Sequence, residues 1–349
     1  MSLLHQKLKL MRVGIKIRRR LPSLKRNIKK QVYLLDRIEQ YKKMWQKIAT
    51  IVNADFSTLD WDIWQLKRGN KTIRLRLHQF PLDNDVTLRL CGRKPLVHKL
   101  LTEENIPVPD FTLFRLSDIQ PALDFQKKHP HGCVVKPCDG YAGLGITTHI
   151  TDAGTLQKAA ATASMYLDDF MVEDQIAGEN YRILIYKGKM LHAVRRTGQS
   201  VVGDGSSTIA ELLSIDPTAS LSSLDQDLSF TLTAQALSLN TVPATGATIL
   251  VRSVGRNFNG GAELRTIYDQ EVTDLVHDSI QKDAERCAKI VQAELAGVDV
   301  ITTDISKDLR ETGGIINEVN TTPGPHHHYD ENTEEFPRVA LTIIKDLLQ

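Results

Sequence analysis

The stretch from residue 132 to residue 150 limits the fold more than any other. Residues 132–137 form an apolar β-type run that ends in Lys136 and Pro137, and residues 146–150 form a second one. Between them lies Asp139-Gly140-Tyr141-Ala142-Gly143-Leu144-Gly145. A glycine-rich loop here joins two strands. The phosphate loops of P-loop and dinucleotide-binding folds open a helix instead, and no Gly-Lys-Ser/Thr follows this one. Both of those folds are excluded. Two readings remain: a loop whose N–H groups approach phosphate beside the point charge of Lys136, or a plain hairpin with spare glycines.

The flanking patterns extend this into an α/β (α+β) chain. Apolar residues at Val32, Leu35, Ile38, Tyr41, Trp45, Ile48 and Val52 predict an amphipathic helix over residues 31–53. Strands are expected at 62–67 and 72–77 around a turn at 68–70. A helix over 94–105 ends at Ile106-Pro107-Val108-Pro109, because a proline disfavours helix in the residue before it. Then come a strand at 111–115, a helix at 117–128 with Ser117 as its cap, a helix at 155–166 and strands at 170–174, 181–186 and 189–196. A short helix at 208–214 and a strand at 248–254 follow. A long helix over 278–295, strands over 298–305 and 314–319, and a closing helix over 339–348 complete the series. Residues 214–248 have no clear period.

With 349 residues the chain is long enough for two or three units, and 41% hydrophobic with 25% charged residues is ordinary globular composition. The expected division is a basic extension over 1–30, a small α/β unit over 31–92, a lid unit over 93–172 and a larger unit over 173–349. No uncharged apolar run approaches about 18 residues, so no membrane span is expected. Cys91, Cys133, Cys138 and Cys287 form no CxxC pair, which suits a reducing, cytoplasmic setting. Of the 44 Lys and Arg, eleven fall in residues 1–30 with no acid among them, and the remaining 33 face 42 Asp and Glu. A nucleic-acid binder spreads basic charge over its fold, so no nucleic-acid partner is expected.

Chemistry concentrates near the end. Asp304 on one expected strand, with Glu318 and Asn320 on the next, offers the oxygen donors that a hard Mg²⁺ ion prefers. Glu318 and Asn320 share a face by i, i+2 spacing. Thr322-Pro323-Gly324-Pro325-His326-His327-His328 follows. Adjacent histidines point in different directions, so a shared zinc ion is disfavoured and a rigid pocket-shaping loop is the better reading. No GxSxG, HExxH or kinase HRD/DFG signal is present.

Taken in order, these segments resemble the ATP-grasp superfamily over roughly residues 90–330, and within it the ATP-grasp part of the cyanophycin synthetases. The resemblance rests on Arg93-Lys94 with Ile106–Pro109, Val134-Val135-Lys136-Pro137 with the loop through Gly145, Glu173–Arg182, and Val202-Gly203-Asp204-Gly205 with Thr208–Leu213. It continues through Asn257–Gly261 and Gly297-Val298-Asp299-Val300 to Glu318-Val319-Asn320-Thr321-Thr322-Pro323-Gly324. It implies two α+β subdomains gripping ATP, preceded by a small N-terminal α/β domain. It implies Lys94 and Lys136 on phosphates, Gly143 and Gly145 in a lid, and Glu173, Asp174 and Ile176 along adenine. Asn180 stands where relatives place an acid for ribose. Arg182, Arg195 and Asn257 would act near the phosphates or acyl group. Asp304, Glu318 and Asn320 would hold Mg²⁺, commonly two ions. Arg196, Pro323, Gly324, His326 and His328 would shape the substrate pocket. His98 departs from the relatives, which carry lysine there. The implied activity is amide bond formation from a small carboxylate and an amine through an acyl phosphate, in a protein that the resemblance allows to be a homodimer. A small-molecule kinase of the same fold and a non-catalytic nucleotide-binding regulator remain the alternatives.

Overall fold

The computed structural model describes residues 6–13, 23–140, 145–165, 167–215, 228, 231–233, 235–251, 270–329 and 334–349, with side chains of 23–34 and 36 left aside. Gly143, Asn257 and residues 1–5 and 14–22 of the basic extension lie outside these residues.

Residues 6–13 form a helix, α1. Helix α2 (Ser23–Ile51) follows, and its apolar stripe is buried at Ile38, Tyr41, Trp45 and Ile48, with Val52 buried just past its end, whereas Leu35 faces out. The stripe lies against an antiparallel sheet of β1 (Asp55–Asp60), β2 (Ile63–Arg68) and β3 (Lys71–Arg76). Alternation puts Trp64, Leu66, Ile73 and Leu75 on the inner face. Strand β1 lies outside the expected pair of strands. Its residues are almost wholly exposed, so it shows no alternation to read.

Two short helices come next, α3 (Asp85–Cys91), capped by Asn84, and α4 (Lys94–Glu103), with Pro95 in its first turn. A second antiparallel sheet, in the order β4-β7-β5-β6, comprises β4 (Phe111–Arg115), β5 (Cys133–Pro137), β6 (Thr147–Ile150) and β7 (Asp169–Asp174). Helices α5 (Gln120–Lys128) and α6 (Ala153–Ala163) cover its apolar face, packing Phe125, Leu156 and Ala160 on Phe114, Val135, Phe170 and Val172. Leu8 and Met11 of α1 join this core. Ser117 does not cap α5. The helix begins three residues later, after Ile119.

The largest sheet contains β8 (Glu179–Tyr186) and β9 (Lys189–Arg196), joined through the left-handed turn Lys187-Gly188. A small annex holds β10 (Ser200–Val202), α7 (Ile209–Ile215) and β11 (Thr248–Leu250), with a core of Val201, Ile209, Leu213, Leu228, Leu232 and Val251. Strand β12 (Gln270–Glu271), helix α8 (Asp278–Ile290) and strand β13 (Leu295–Thr302) follow. Then come a single helical turn, α9 (Leu309–Thr312), strand β14 (Ile315–Thr321) and helix α10 (Arg338–Leu347). Strand order is β12-β9-β8-β13-β14.

The two faces of this sheet do different things. One packs Ile183, Ile185, Val298, Val300, Ile316 and Val319 against α3, α4 and α8. At one end the other face contributes Leu184 and Leu295 to the core shared by α2, the three-stranded sheet and Val339, Ala340, Ile343 and Ile344 of α10. Farther along, that face carries Asn180, Arg182, Arg196, Asp299, Glu318 and Asn320. The N-terminal unit is thus fused to the large sheet through one core, and α4 belongs to the large sheet's core through Val97 and Leu101. No helix among the described residues is long and apolar enough to cross a membrane.

Candidate active site

Register builds the site. On β13 and β14, Asp299 stands opposite Glu318 and Gly297 opposite Asn320, while on the other side of β13 Asp299 stands opposite Arg182 of β8. Directly opposed residues share a face, so Arg182, Asp299, Glu318 and Asn320 project together. Arg182 grips Asp299 with two parallel bonds, Nε to Oδ1 at 2.7 Å and Nη2 to Oδ2 at 2.8 Å. Asn320 donates through Nδ2 to Asp299 Oδ2 at 3.0 Å, which leaves its amide oxygen as an acceptor. Gly297 is required beneath Arg182, since a Cβ there would lie 3.0 Å from Pro323 Cβ and 3.5 Å from Arg182 Cδ.

Two lysines reach this face from other elements. Lys94, at the start of α4, pairs with Glu318 at 2.9 Å and also donates to the Gly140 carbonyl at 3.0 Å. Lys136 of β5 pairs with Glu173 of β7 at 2.7 Å. Val134 is opposite Glu173 in the ladder, so Lys136 and Glu173 are diagonal neighbours on one face. All four groups are largely buried, with side-chain exposures of 7% and 23% for Lys94 and Glu318 and 3% and 5% for Lys136 and Glu173.

Burial pushes the Glu318 carboxyl upward, but Lys94, Lys136 and Arg182 outweigh it and hold it below the usual range. Burial likewise works against the Lys94 ammonium, and Glu318 outweighs that to raise it. At Glu173 burial wins over Lys136 and the carboxyl is raised. Its Oε2 is buried without a hydrogen-bond partner. A buried acceptor left bare is costly unless a donor arrives.

The other expected site residues divide clearly. Asp304 does not join the cluster. Strand β13 ends at Thr302, three residues short of the expected end, so Asp304 falls in the turn that follows. There it accepts from Ser306 N at 3.0 Å and pairs with Lys307 at 3.4 Å. Asp299 takes its place. The alternation Val298-Asp299-Val300 within an apolar run was the available signal. Arg195 stands opposite Tyr181 rather than Arg182, hence on the other face, where it binds Glu179 at 3.0 Å and Gln270 at 2.6 Å. Arg196 and Asn180 are opposite each other and share the face of Arg182. Asp174 and Ile176 lie at and just beyond the end of β7, Asp174 donating its N–H to the Asp110 carbonyl at 3.0 Å. Gly145 adopts φ +80° at the edge of the loop.

The histidines go separate ways. His326 Nδ1 lies 2.6 Å from the Tyr41 hydroxyl of α2, and His328 Nδ1 lies 3.1 Å from His192 Nδ1 of β9. Pro323 and Gly324 are buried. The turn packs His326 so tightly over Gly324 that a Cβ at 324 would overlap the ring. Among the described residues no three His, Cys, Asp or Glu side chains converge as a metal site.

No protein-family model matches the chain. It is similar to cyanophycin synthetase of Trichormus variabilis, 32% identical over 273 residues that make up 75% of this chain and 29% of that protein. It is also similar to the glutathione biosynthesis bifunctional protein of Clostridium perfringens, 27% identical over 259 residues, 70% of this chain and 32% of that one. The chain thus spans about three tenths of the length of these relatives. Among solved structures, a bifunctional glutathione synthetase from Pasteurella multocida superposes with a TM-score of 0.55 at 22% identity, covering 84% of this chain and 41% of that one.

Proposed function

The chain is a member of the ATP-grasp superfamily, and from that premise we propose that it is an ADP-forming carboxylate–amine ligase acting on an amino acid or small peptide. The observation that carries the reading is the convergence of Lys94–Glu318, Lys136–Glu173 and Arg182–Asp299–Asn320 on one partly buried patch. Lys94 and Lys136 come from different units, one on the large-sheet side and one on the four-stranded sheet. A triphosphate between them is neutralised from two sides. The bare Glu173 Oε2 supplies an acceptor for an exocyclic amino group of the nucleotide base.

The donor set also fits a hard divalent cation. Asp299, Glu318 and Asn320 are all oxygen donors, and today Arg182 and Lys94 supply the positive charge that the two carboxylates need. Asp299, Glu318 and Asn320 would hold Mg²⁺. When bound, such an ion offsets charge developing on the transferred phosphoryl oxygens.

The chain's own groups do the rest. Lys94 and Lys136 orient the γ-phosphoryl for in-line attack by the substrate carboxylate oxygen. The P–O bond to ADP breaks and an acyl phosphate forms. The amine nitrogen then attacks the acyl carbon, phosphate leaves with the C–O electron pair, and the amine proton passes to solvent. Arg182, fixed by Asp299, and Arg196, buried on the same face, provide cationic charge where the acyl oxygen turns negative. No side-chain nucleophile is required. Four buried thiols suit a reducing, cytoplasmic setting.

A screen of carboxylates against amines tests this, read by ADP release and by product mass. ADP formation that depends on both substrates, with a product one water lighter than their sum, is expected. A stable phosphorylated product formed without any amine would overturn it in favour of a kinase.

A further inference from the structure

The pairing of β13 with β14 is irregular at one place. Ile301 opposes Ile315 and Val300 opposes Ile316, but Asp299 opposes Glu318, so Asn317 is an extra residue. A regular ladder continued from Val300–Ile316 would set Asn317 opposite Asp299 and Glu318 opposite Val298. Val298 lies in the apolar core under α4 and α8. A one-residue slip reverses every side chain. The bulge at Asn317 is therefore what turns Glu318 and Asn320 out of the core and onto the face of Arg182 and Asp299.

A bulge leaves backbone groups without ladder partners, and here one of them is answered. His98 Nε2 lies 3.0 Å from the Asn317 carbonyl oxygen, and since a carbonyl only accepts, Nε2 carries the proton. His98 is four residues after Lys94 on α4, so the two stack on one helix face. One holds the carbonyl of the bulge residue and the other holds the carboxylate of the residue after it. The His98 ring is 1% exposed and sits edge-on to Phe111 at 5.5 Å. Burial, with Lys136 next, pushes its pKa down to about 4, so it adds no further positive charge to that of Lys94, Lys136 and Arg182.

We infer that His98 is a positioning residue for the phosphate and cation site, acting as the hydrogen-bond donor that fixes the Asn317 bulge and so aims Glu318. This rests on the reading of Asp299, Glu318 and Asn320 as the cation-holding set.

The test uses the full chain with His98→Gln, His98→Phe and His98→Ala. Glutamine keeps an N–H donor near the Nε2 position, whereas phenylalanine keeps the ring volume without it. The first readout is affinity for Mn²⁺ with a non-hydrolysable ATP analogue, followed by the metal's paramagnetic resonance. Loss of an outer partner typically weakens metal affinity about 10–100-fold, and that loss is expected for Phe and Ala, with Gln within about threefold of the parent. The second readout needs no nucleotide: hydrogen exchange at the Asn317 and Glu318 amides should speed up in Phe and Ala and not in Gln. Equal exchange in all four proteins overturns the inference, as does rescue by Phe with loss in Gln, which would mean that the ring only fills space. A parent protein that binds neither Mn²⁺ nor nucleotide overturns the underlying functional reading, and the site role of His98 falls with it. Parent binding unchanged by every variant sinks the inference alone.

Discussion

Asp299 and Asp304 are five residues apart and differ in everything that matters for chemistry. Asp299 is held on both oxygens by Arg182 and again by Asn320, whereas Asp304 caps its own turn and meets solvent. Asp299→Asn should keep much of the shape yet remove the charge that orients Arg182. Losing one preorganised electrostatic contact of this kind typically costs about 10²–10³ in turnover, and ADP release should fall by that much. Asp304→Asn should stay within about twofold of the parent, because it breaks only an exposed pair of the sort worth about 0–1 kcal/mol. Equal losses in the two variants would return the metal-site role to the turn. The sequence itself singles out Glu318, Asn320 and Lys136, as polar or charged residues in β-forming runs that lead into glycine- or proline-marked loops, whereas Lys94 enters only through the family resemblance. It did not separate Asp299 from Asp304, because both are acids in a β-forming run and only the strand's true end tells them apart.

That end is hard to place from sequence for a reason visible in the elements. Helix α8 stops at Ile290 and the chain reverses through Gln292 at φ +57°, so Leu295 already begins β13. The apolar spacing through Val291 and Leu295 suits a helix equally well, which carried the expected helix too far and shifted the next strand by three residues. The bulge in β14 left a fainter mark. Ile316 and Val319 are three apart where a regular strand would bury residues two apart. Strands β4 and β9 were legible to the residue, because turn residues bound both. Gly178, between β7 and β8, shows how tightly such a connection can be drawn. It has φ +138°, and a Cβ there would run into the backbone of Thr302 and Thr303 at the end of β13. Gly178→Ala should therefore destabilise the protein by about 1–3 kcal/mol or more, read as a lower denaturant midpoint. Gly188→Ala is the control: it shares positive φ but meets nothing within 4 Å, so its cost should be smaller.

At the scale of the whole molecule, the N-terminal unit and the large sheet meet across a layer of neutral histidines. His78 lies 5.8 Å from the Tyr41 ring and 6.2 Å from that of His326, and His326 is hydrogen-bonded to Tyr41. Burial above all, with Arg37 and His327 adding to it, brings His78 down to about 4. Burial also depresses His326 and His328, with help from His327 and Arg37 at the first and His192 and His327 at the second. A histidine whose folded pKa lies below its unfolded value gives stability that is complete above the unfolded pKa, near 6.5. That stability drains away as pH falls toward the folded value, since the unfolded chain takes up protons that the fold refuses. Each fully depressed histidine contributes a slope of about 1.4 kcal/mol per pH unit in that window. Stability should thus fall steeply between about pH 6.5 and 4, beginning above the range where exposed carboxylates titrate. Trp45 and Trp64, both fully buried, lie in the core that this layer adjoins, while Trp61 is 56% exposed. These are all three tryptophans of the chain. Opening of the layer should accordingly appear as a red shift of tryptophan emission, with the unfolding midpoint already lower at pH 5.5 than at pH 7. A midpoint flat from pH 7 to pH 5 would mean that these histidines are protonated as readily in the fold as out of it, and that the layer between the two halves is wet.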